Sequence, residues 1–303
     1  MAPNLDVEWI HGTKSGRPGD EPLLQVHQVD ERTFILRQSK NVSYEAPFLH
    51  LLIGDRSALL LDTGAVGPVE LNPIRATVDQ LLAAHPGRRL IVAHTHSHGD
   101  HVAGDHQFSN RPDTTVVGRE LEAVQQFFGF TDWPNDVVTL DLGGRELEVL
   151  AIPGHHRTHI AVYDPQTGFL LTGDTVYPGR LYAFDYPEFM RSVDRLAAFA
   201  EDRDVSQLVG SHIEMTTVPG KDYPLGARYQ PDEPPLQLEP AALQRLRQRS
   251  LALAGKIGKH TFDELIIYNS PGKVMMIREM LRGRLYRIGS RSSPPRNGSA
   301  SGS

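Results

Sequence analysis

The chain has 303 residues and not one cysteine. Disulfides, thiolate metal ligands and a cysteine nucleophile are thereby excluded. The compartment is not, because a chain without thiols tolerates either redox state. Long apolar runs are missing too: no stretch of 18 apolar residues occurs, which leaves no candidate for a membrane-spanning helix. The opening Met1-Ala2-Pro3-Asn4-Leu5-Asp6 lacks a basic segment followed by an apolar one. It does not read as a secretory leader, and a soluble, cytoplasmic protein is the default expectation. Nor is there a Gly-x-Ser-x-Gly elbow to present a serine nucleophile.

What the chain does have is His94-Thr95-His96-Ser97-His98-Gly99-Asp100-His101, directly after the apolar run Leu90-Ile91-Val92-Ala93. Imidazole nitrogens and carboxylate oxygens are ligands of zinc-like metals. In an extended segment His96 and His98 point to the same side, because side chains alternate with period two. They can share one metal. Gly99 lets the backbone turn, so Asp100 and His101 can face a second metal beside the first. A surface stretch or a set of capping residues would explain one or two of these positions, not all. Ligand-type residues recur where later strands run out: His155 after Ile152-Pro153-Gly154, Asp174 after Leu170-Leu171-Thr172-Gly173, and His212 after Leu208-Val209-Gly210-Ser211. Strand ends are where open α/β sheets place ligands.

The series His96-x-His98-x-Asp100-His101, His155, Asp174 and His212 resembles the metallo-β-lactamase superfamily of hydrolases. Ala58-Leu59-Leu60-Leu61-Asp62-Thr63-Gly64 resembles its first motif, and the resemblance spans roughly residues 45–215. It implies an αββα sandwich. It also implies two metal ions: His96, His98 and His155 on one, Asp100, His101 and His212 on the other, and Asp174 bridging. Asp62 would be a buried carboxylate that holds the site loops. Two close cations lower the pKa of a bridging water from near 16 to about 7, and the resulting hydroxide attacks a carbonyl carbon or a phosphorus. An all-N/O ligand set fits zinc first, with iron, manganese, cobalt or nickel as alternatives. Redox members of the family tend to carry Glu where this chain has His98, which favours hydrolysis here.

His94, two before His96 on the same strand face, reads as a buried histidine that supports the ligands from outside. His159, four after His155, is placed likewise by the resemblance. His156, next to His155, is expected to point away. Tyr177, three after Asp174, matches a tyrosine of lactonase-like members and is a candidate donor to substrate oxygen, alongside Asp100 as a catalytic group. A wall residue is the equal alternative. Tyr182, Phe184 and Tyr186 look like an aromatic loop for an apolar substrate. Some positions depart from the family. The usual Thr and Gly after the third-motif His are absent from His155-His156-Arg157-Thr158-His159. No Lys stands where zinc β-lactamases grip a carboxylate, although Lys221 lies within ten residues of His212. The reading is a dinuclear metallohydrolase acting on a lactone, ester or amide carbonyl. The alternatives are a phosphoester or thioester (glyoxalase II-like) hydrolase, a β-lactamase, or an iron redox or metal-binding protein.

Short apolar runs alternating with amphipathic stretches fit a layered α/β catalytic region over 1–222. Helices are expected near 67–85, 119–127, 187–201 and 240–257. Residues 223–240 hold Pro224, Pro231, Pro234, Pro235 and Pro240 and read as a linker or a strap. Residues 241–291 read as a small helical C-terminal addition. In it, Thr261-Phe262-Asp263-Glu264 is a capping box for a short helix, and 273–282 is a further helix. This stretch carries eleven Lys or Arg against three Asp or Glu, net +8, while the rest of the chain is net −14. The basic part is expected to pack on the acidic body or on a second copy. Neither a nucleic-acid nor a membrane partner is expected, only a small-molecule substrate. Residues 292–303 have the composition of a flexible tail.

Overall fold

The computed structural model describes residue 3 and residues 5–292; most of the stretch read as a tail lies outside the described residues. Two six-stranded sheets carry the architecture. The first runs in order β1 (Leu24–Asp30), β2 (Thr33–Gln38), β3 (Phe48–Ile53), β4 (Ser57–Leu61), β5 (Arg89–Ala93) and β6 (Thr114–Val116). The second runs β13 (Gln237–Leu238), β12 (Gln207–Gly210), β10 (Phe169–Gly173), β9 (Ile160–Asp164), β8 (Glu146–Ala151) and β7 (Val137–Asp141).

Strand alternation builds four layers. In β3 and β4, Phe48, Leu52, Leu59 and Leu61 join Val149, Val162, Phe169 and Leu171 of the other sheet in one core. Their neighbours Leu49, Leu51 and Leu60 point the other way, onto Ile74, Val78 and Leu82 of α1 (Ile74–Leu82). On the far side, Ala161, Leu170 and Leu208 meet Phe189, Val193 and Leu196 of α4 (Tyr186–Glu201) and Leu243 and Leu246 of α5 (Ala241–Ala252). Strands that are buried on both faces read as nearly continuous apolar runs, and β3 and β4, apolar but for His50 and Ser57, show no exposed residue. The helix expected over 67–85 is shorter because Pro68 and Pro73 precede its first turn. Helix α3 is Leu121–Phe128, and its Gly129 cap has φ +83°.

The C-terminal addition differs from its sequence reading at a hairpin and in the length of its last helix. The capping-box letters at Thr261–Glu264 do not open a helix. They lie at the turn of a hairpin between β14 (Gly258–Thr261) and β15 (Ile266–Asn269). The residues that follow the box, Leu265-Ile266-Ile267-Tyr268, are a β-branched and aromatic run that is entirely buried, and such a run favours a strand. Strand β15 pairs in parallel with β11 (Arg180–Ala183), which ties the addition to the catalytic region in a three-stranded sheet. The last helix, α6, runs over Lys273–Ser292, well beyond 282.

The proline-rich segment is a strap. Leu236 and Ala227 are buried, β13 pairs with β12, and Glu233 takes both guanidinium nitrogens of Arg37 at 2.6 and 2.7 Å.

Candidate metal centre

The ligand-type residues stand at one edge of the sandwich. Asp62 follows β4, His94 to His98 follow β5, His155 follows β8, Asp174 follows β10 and His212 follows β12. Four-residue helix α2 (Gly99–Val102) starts at the turn and carries Asp100 and His101. Gly173 has φ +52°, and a Cβ there would meet His159 Nε2 at 2.3 Å. Glycine is required for the chain to bring Asp174 inward past that ring.

The inner nitrogens form two groups. His96 Nε2 and His155 Nε2 lie 2.9 and 3.0 Å from His98 Nδ1. His101 Nε2 and His212 Nε2 lie 3.4 and 3.5 Å from Asp100 Oδ2. Asp174 stands between. Its Oδ2 is 3.7 Å from His155 Nε2 and 4.0 Å from His96 Nε2, whereas its Oδ1 is 3.4 Å from His212 Nε2 and 3.6 Å from His101 Nε2. Atoms of His96, His98 and His155, and of Asp100, His101, Asp174 and His212, form two groups, each within 4.8 Å of one another.

The outer nitrogens are fixed. Asp62 accepts from His101 Nδ1 at 2.8 Å and from the Thr95 amide and hydroxyl. The Tyr182 carbonyl holds His155 Nδ1 at 2.8 Å, and the Glu45 carbonyl holds His212 Nδ1 at 3.0 Å. With its outer nitrogen donating, each ring in its neutral form turns a lone pair inward. Two inward atoms, His101 Nε2 and Asp174 Oδ1, are buried and find no hydrogen-bond partner. Buried polar atoms are seldom orphaned. Donors about 2.1 Å from a common tetrahedral centre stand about 3.4 Å apart, which is the spacing around Asp100 and Asp174. The residues therefore fit divalent cations.

Electrostatics divide the two groups. Burial, then neighbouring imidazoles, hold His96 well below the usual histidine range, and burial holds His155 down at about 4. For His101 burial pulls down as well, but Asp100, Asp62 and Asp174 override it and hold the ring well above its ordinary value. Asp174 and Asp100 are pulled below the usual carboxylate range by His212 and His101, against their burial. The first group offers neutral lone pairs, and the second sets two ionised carboxylates against imidazoles that hold their protons when no cation replaces them.

His94 is buried as expected, but its partner is Asp105 at 2.8 Å rather than a member of the two groups. His159 sits behind Asp174, accepting the Asp174 amide at 3.3 Å. His156 does not point away: its ring lies 4.7 Å from that of His98 and bonds the Thr158 hydroxyl. The ring of Tyr177, the candidate donor, lies 5.7 Å from that of His212. It is buried, and its hydroxyl donates to the Arg180 carbonyl at 2.6 Å, with Glu214 at 3.1 Å. Its one proton is committed away from the clusters. Tyr186 belongs to the core, bonded to the Ser250 carbonyl. Phe184 alone of the three loop aromatics is open, 48% exposed, with its ring 5.7 Å from His155 and 6.5 Å from His98. Asp105, which also accepts from Thr63 and Arg119, escaped the sequence reading, although its place four residues after His101 was a usable signal.

Two facing sheets with helices outside, and histidine–carboxylate clusters where the strands end, define a metal-dependent hydrolase of the αββα class. The chain belongs to the metallo-beta-lactamase superfamily, whose family model matches residues 49–227. It is similar to a hydroxyacylglutathione hydrolase of Synechococcus sp., 30% identical over 56% of this chain and 69% of that protein. A hydroxyacylglutathione hydrolase of Aeromonas hydrophila is 28% identical over 70% of this chain and 77% of its own length. Among solved structures, a metallo-beta-lactamase from Pontibacter korlensis shares the fold, with TM-score 0.51 at 20% identity over 75% of this chain and 99% of that one.

Proposed function

We propose that this hydrolase works with two divalent ions on a carbonyl carbon, with thioesters as its first substrate class and lactones or esters beside them. The observation that carries the dinuclear reading is Asp174, which turns one oxygen toward each histidine group. His96, His98 and His155 would hold one ion and Asp100, His101 and His212 the other, Asp174 being shared; zinc suits these N and O donors. The ions supply Lewis acidity and an acidified water.

The chain's own residues do the rest. Asp62, the Glu45 carbonyl and the Tyr182 carbonyl orient three imidazoles before substrate arrives. Asp100 keeps 21% of its side chain exposed and turns Oδ2 toward His101 and His212, so it would hold the second ion with those two imidazoles at the open side of the group. Phe184 offers an apolar face beside His155 for the acyl part of the substrate. The thioester preference is supported by the relatives named hydroxyacylglutathione hydrolase.

The test is a panel of a hydroxyacyl glutathione thioester, an acyl lactone, an aryl ester, a phosphotriester and a cephalosporin. The thioester is expected to rank first in kcat/KM, and a cephalosporin or phosphotriester in first place would overturn the proposal. Asp174→Ala is expected to lower turnover of every substrate by orders of magnitude and to reduce bound metal. Unchanged rates would remove the site.

A further inference from the structure

The strongest feature outside the site is the outer face of α6. Val274, Ile277, Leu281 and Leu285 are exposed by 74, 53, 53 and 70%. Stepping about 100° per residue, they fall within about 80° of arc, along about 16 Å of helix. The opposite side of the helix is already anchored. A Cβ on Gly283 would meet the Leu225 carbonyl oxygen at 1.8 Å, so the helix backbone lies directly against the strap. Arg282 bonds Asp222 at 2.8 Å, and Glu279 bonds Lys259 at 3.2 Å. The stripe therefore faces outward, and among the described residues it joins none of the buried apolar clusters. Residues 293–303, Ser-Pro-Pro-Arg-Asn-Gly-Ser-Ala-Ser-Gly-Ser, hold no large apolar side chain that could cover it.

Charge identifies the occupant. Lys273 and Arg284 flank the stripe on one side and Arg278 on the other, all three exposed. The only acidic residue of α6, Glu279, is buried and tied to Lys259 and Arg282. Pairing α6 with α6 of a second copy would set basic flanks against basic flanks, where helix pairs need opposite charges. An apolar stripe edged by cations matches an anionic bilayer surface. The aliphatic side chains enter the headgroup boundary, and the arginines reach the lipid phosphates. We propose that α6 docks this hydrolase on anionic lipid surfaces. The sequence expectation of no membrane partner rested on the lack of a spanning segment, which a helix lying on the surface does not need.

The experiment is co-sedimentation of the metal-loaded full chain with vesicles of phosphatidylglycerol or of phosphatidylcholine, at low and high salt, with sedimentation velocity of the free protein alongside. Binding is expected to the anionic vesicles and to weaken with salt. Ile277→Glu with Leu281→Glu should reduce binding at least tenfold and leave turnover of a soluble substrate unchanged. Arg278→Ala and Arg284→Ala should each weaken it about fivefold. Lack of binding to anionic vesicles, equal binding to both lipids, or a dimer that the same glutamates dissociate would each overturn the proposal.

Discussion

Asp62 shows how much of the site depends on a residue that touches no substrate. It is fully buried, holds the Thr95 amide and hydroxyl, and fixes His101 through Nδ1. Asp62→Asn keeps the shape and loses the charge that aligns the ring. Loss of such a partner costs metal affinity or activity about 10- to 100-fold. Elemental analysis should find one ion depleted and the other near full occupancy; full occupancy of both with unchanged turnover would refute the role. Tyr177 teaches the converse. Its offset from Asp174 suggested a donor to substrate, yet the offset does not reveal that its hydroxyl bonds the Arg180 carbonyl. Tyr177→Phe takes the hydroxyl donor from the Arg180 carbonyl, while Glu214 keeps its bonds to Arg180, and should cost about 1–3 kcal/mol of stability, with any loss of rate equal for lactones and aryl esters. A lactone-selective loss would restore the donor role. The ligand-type residues were legible because they cluster in motif-like stretches. The carbonyls of Glu45 and Tyr182 were not, because a backbone oxygen leaves no mark in the residue letters.

Elements were legible where pattern and context agreed. The apolar runs read at Leu90–Ala93 and Leu170–Gly173 form the bodies of β5 and β10, and α4 starts within one residue of its expected position. Strand β7 was missed, because its alternation Val137-Val138-Thr139-Leu140-Asp141 is short and half polar. The hairpin of β14 and β15 was misread from a local capping pattern, which pairing with β11 overrides. For the strap, proline content left linker and strap both open. What decides it is Glu233, whose side chain is 7% exposed and holds Arg37, with Lys40 at 3.5 Å. Burial pulls Lys40 down to about 8, partly offset by Glu233. Glu233→Gln strands two buried cations and is expected to destabilise by about 3–5 kcal/mol. Lys40→Met, which removes a charge that burial penalises, should be near neutral. Urea unfolding of both variants checks this, and equal losses would mean that packing, not charge, holds the strap.

At the scale of the molecule, the sheets gather Asp62, His96, His155, Asp174 and His212 from five strand ends to one edge. The sequence could order these motifs but could not show how closely they approach. That closeness couples stability to the ions. Without cations, His98 Nδ1 faces two imidazole nitrogens at 2.9 and 3.0 Å, and neutral His155, whose outer nitrogen donates to the Tyr182 carbonyl, has no proton to offer inward. Asp100 and Asp174 then crowd together around His101 and His212 with only protons to balance them. Ions that bind the folded chain at 1,000 times their dissociation constant stabilise it by about 4 kcal/mol per site, or roughly 10 °C in a domain of this order of size. Chelation should therefore lower the melting temperature by at least that amount, and two equivalents of zinc should restore it together with turnover. The first group contributes imidazoles and a share of one carboxylate, the second a full carboxylate besides, so limiting chelator should empty the first group earlier. A melting temperature indifferent to chelator and zinc would show that these side chains close the sandwich by themselves, and the dinuclear reading would fall with it.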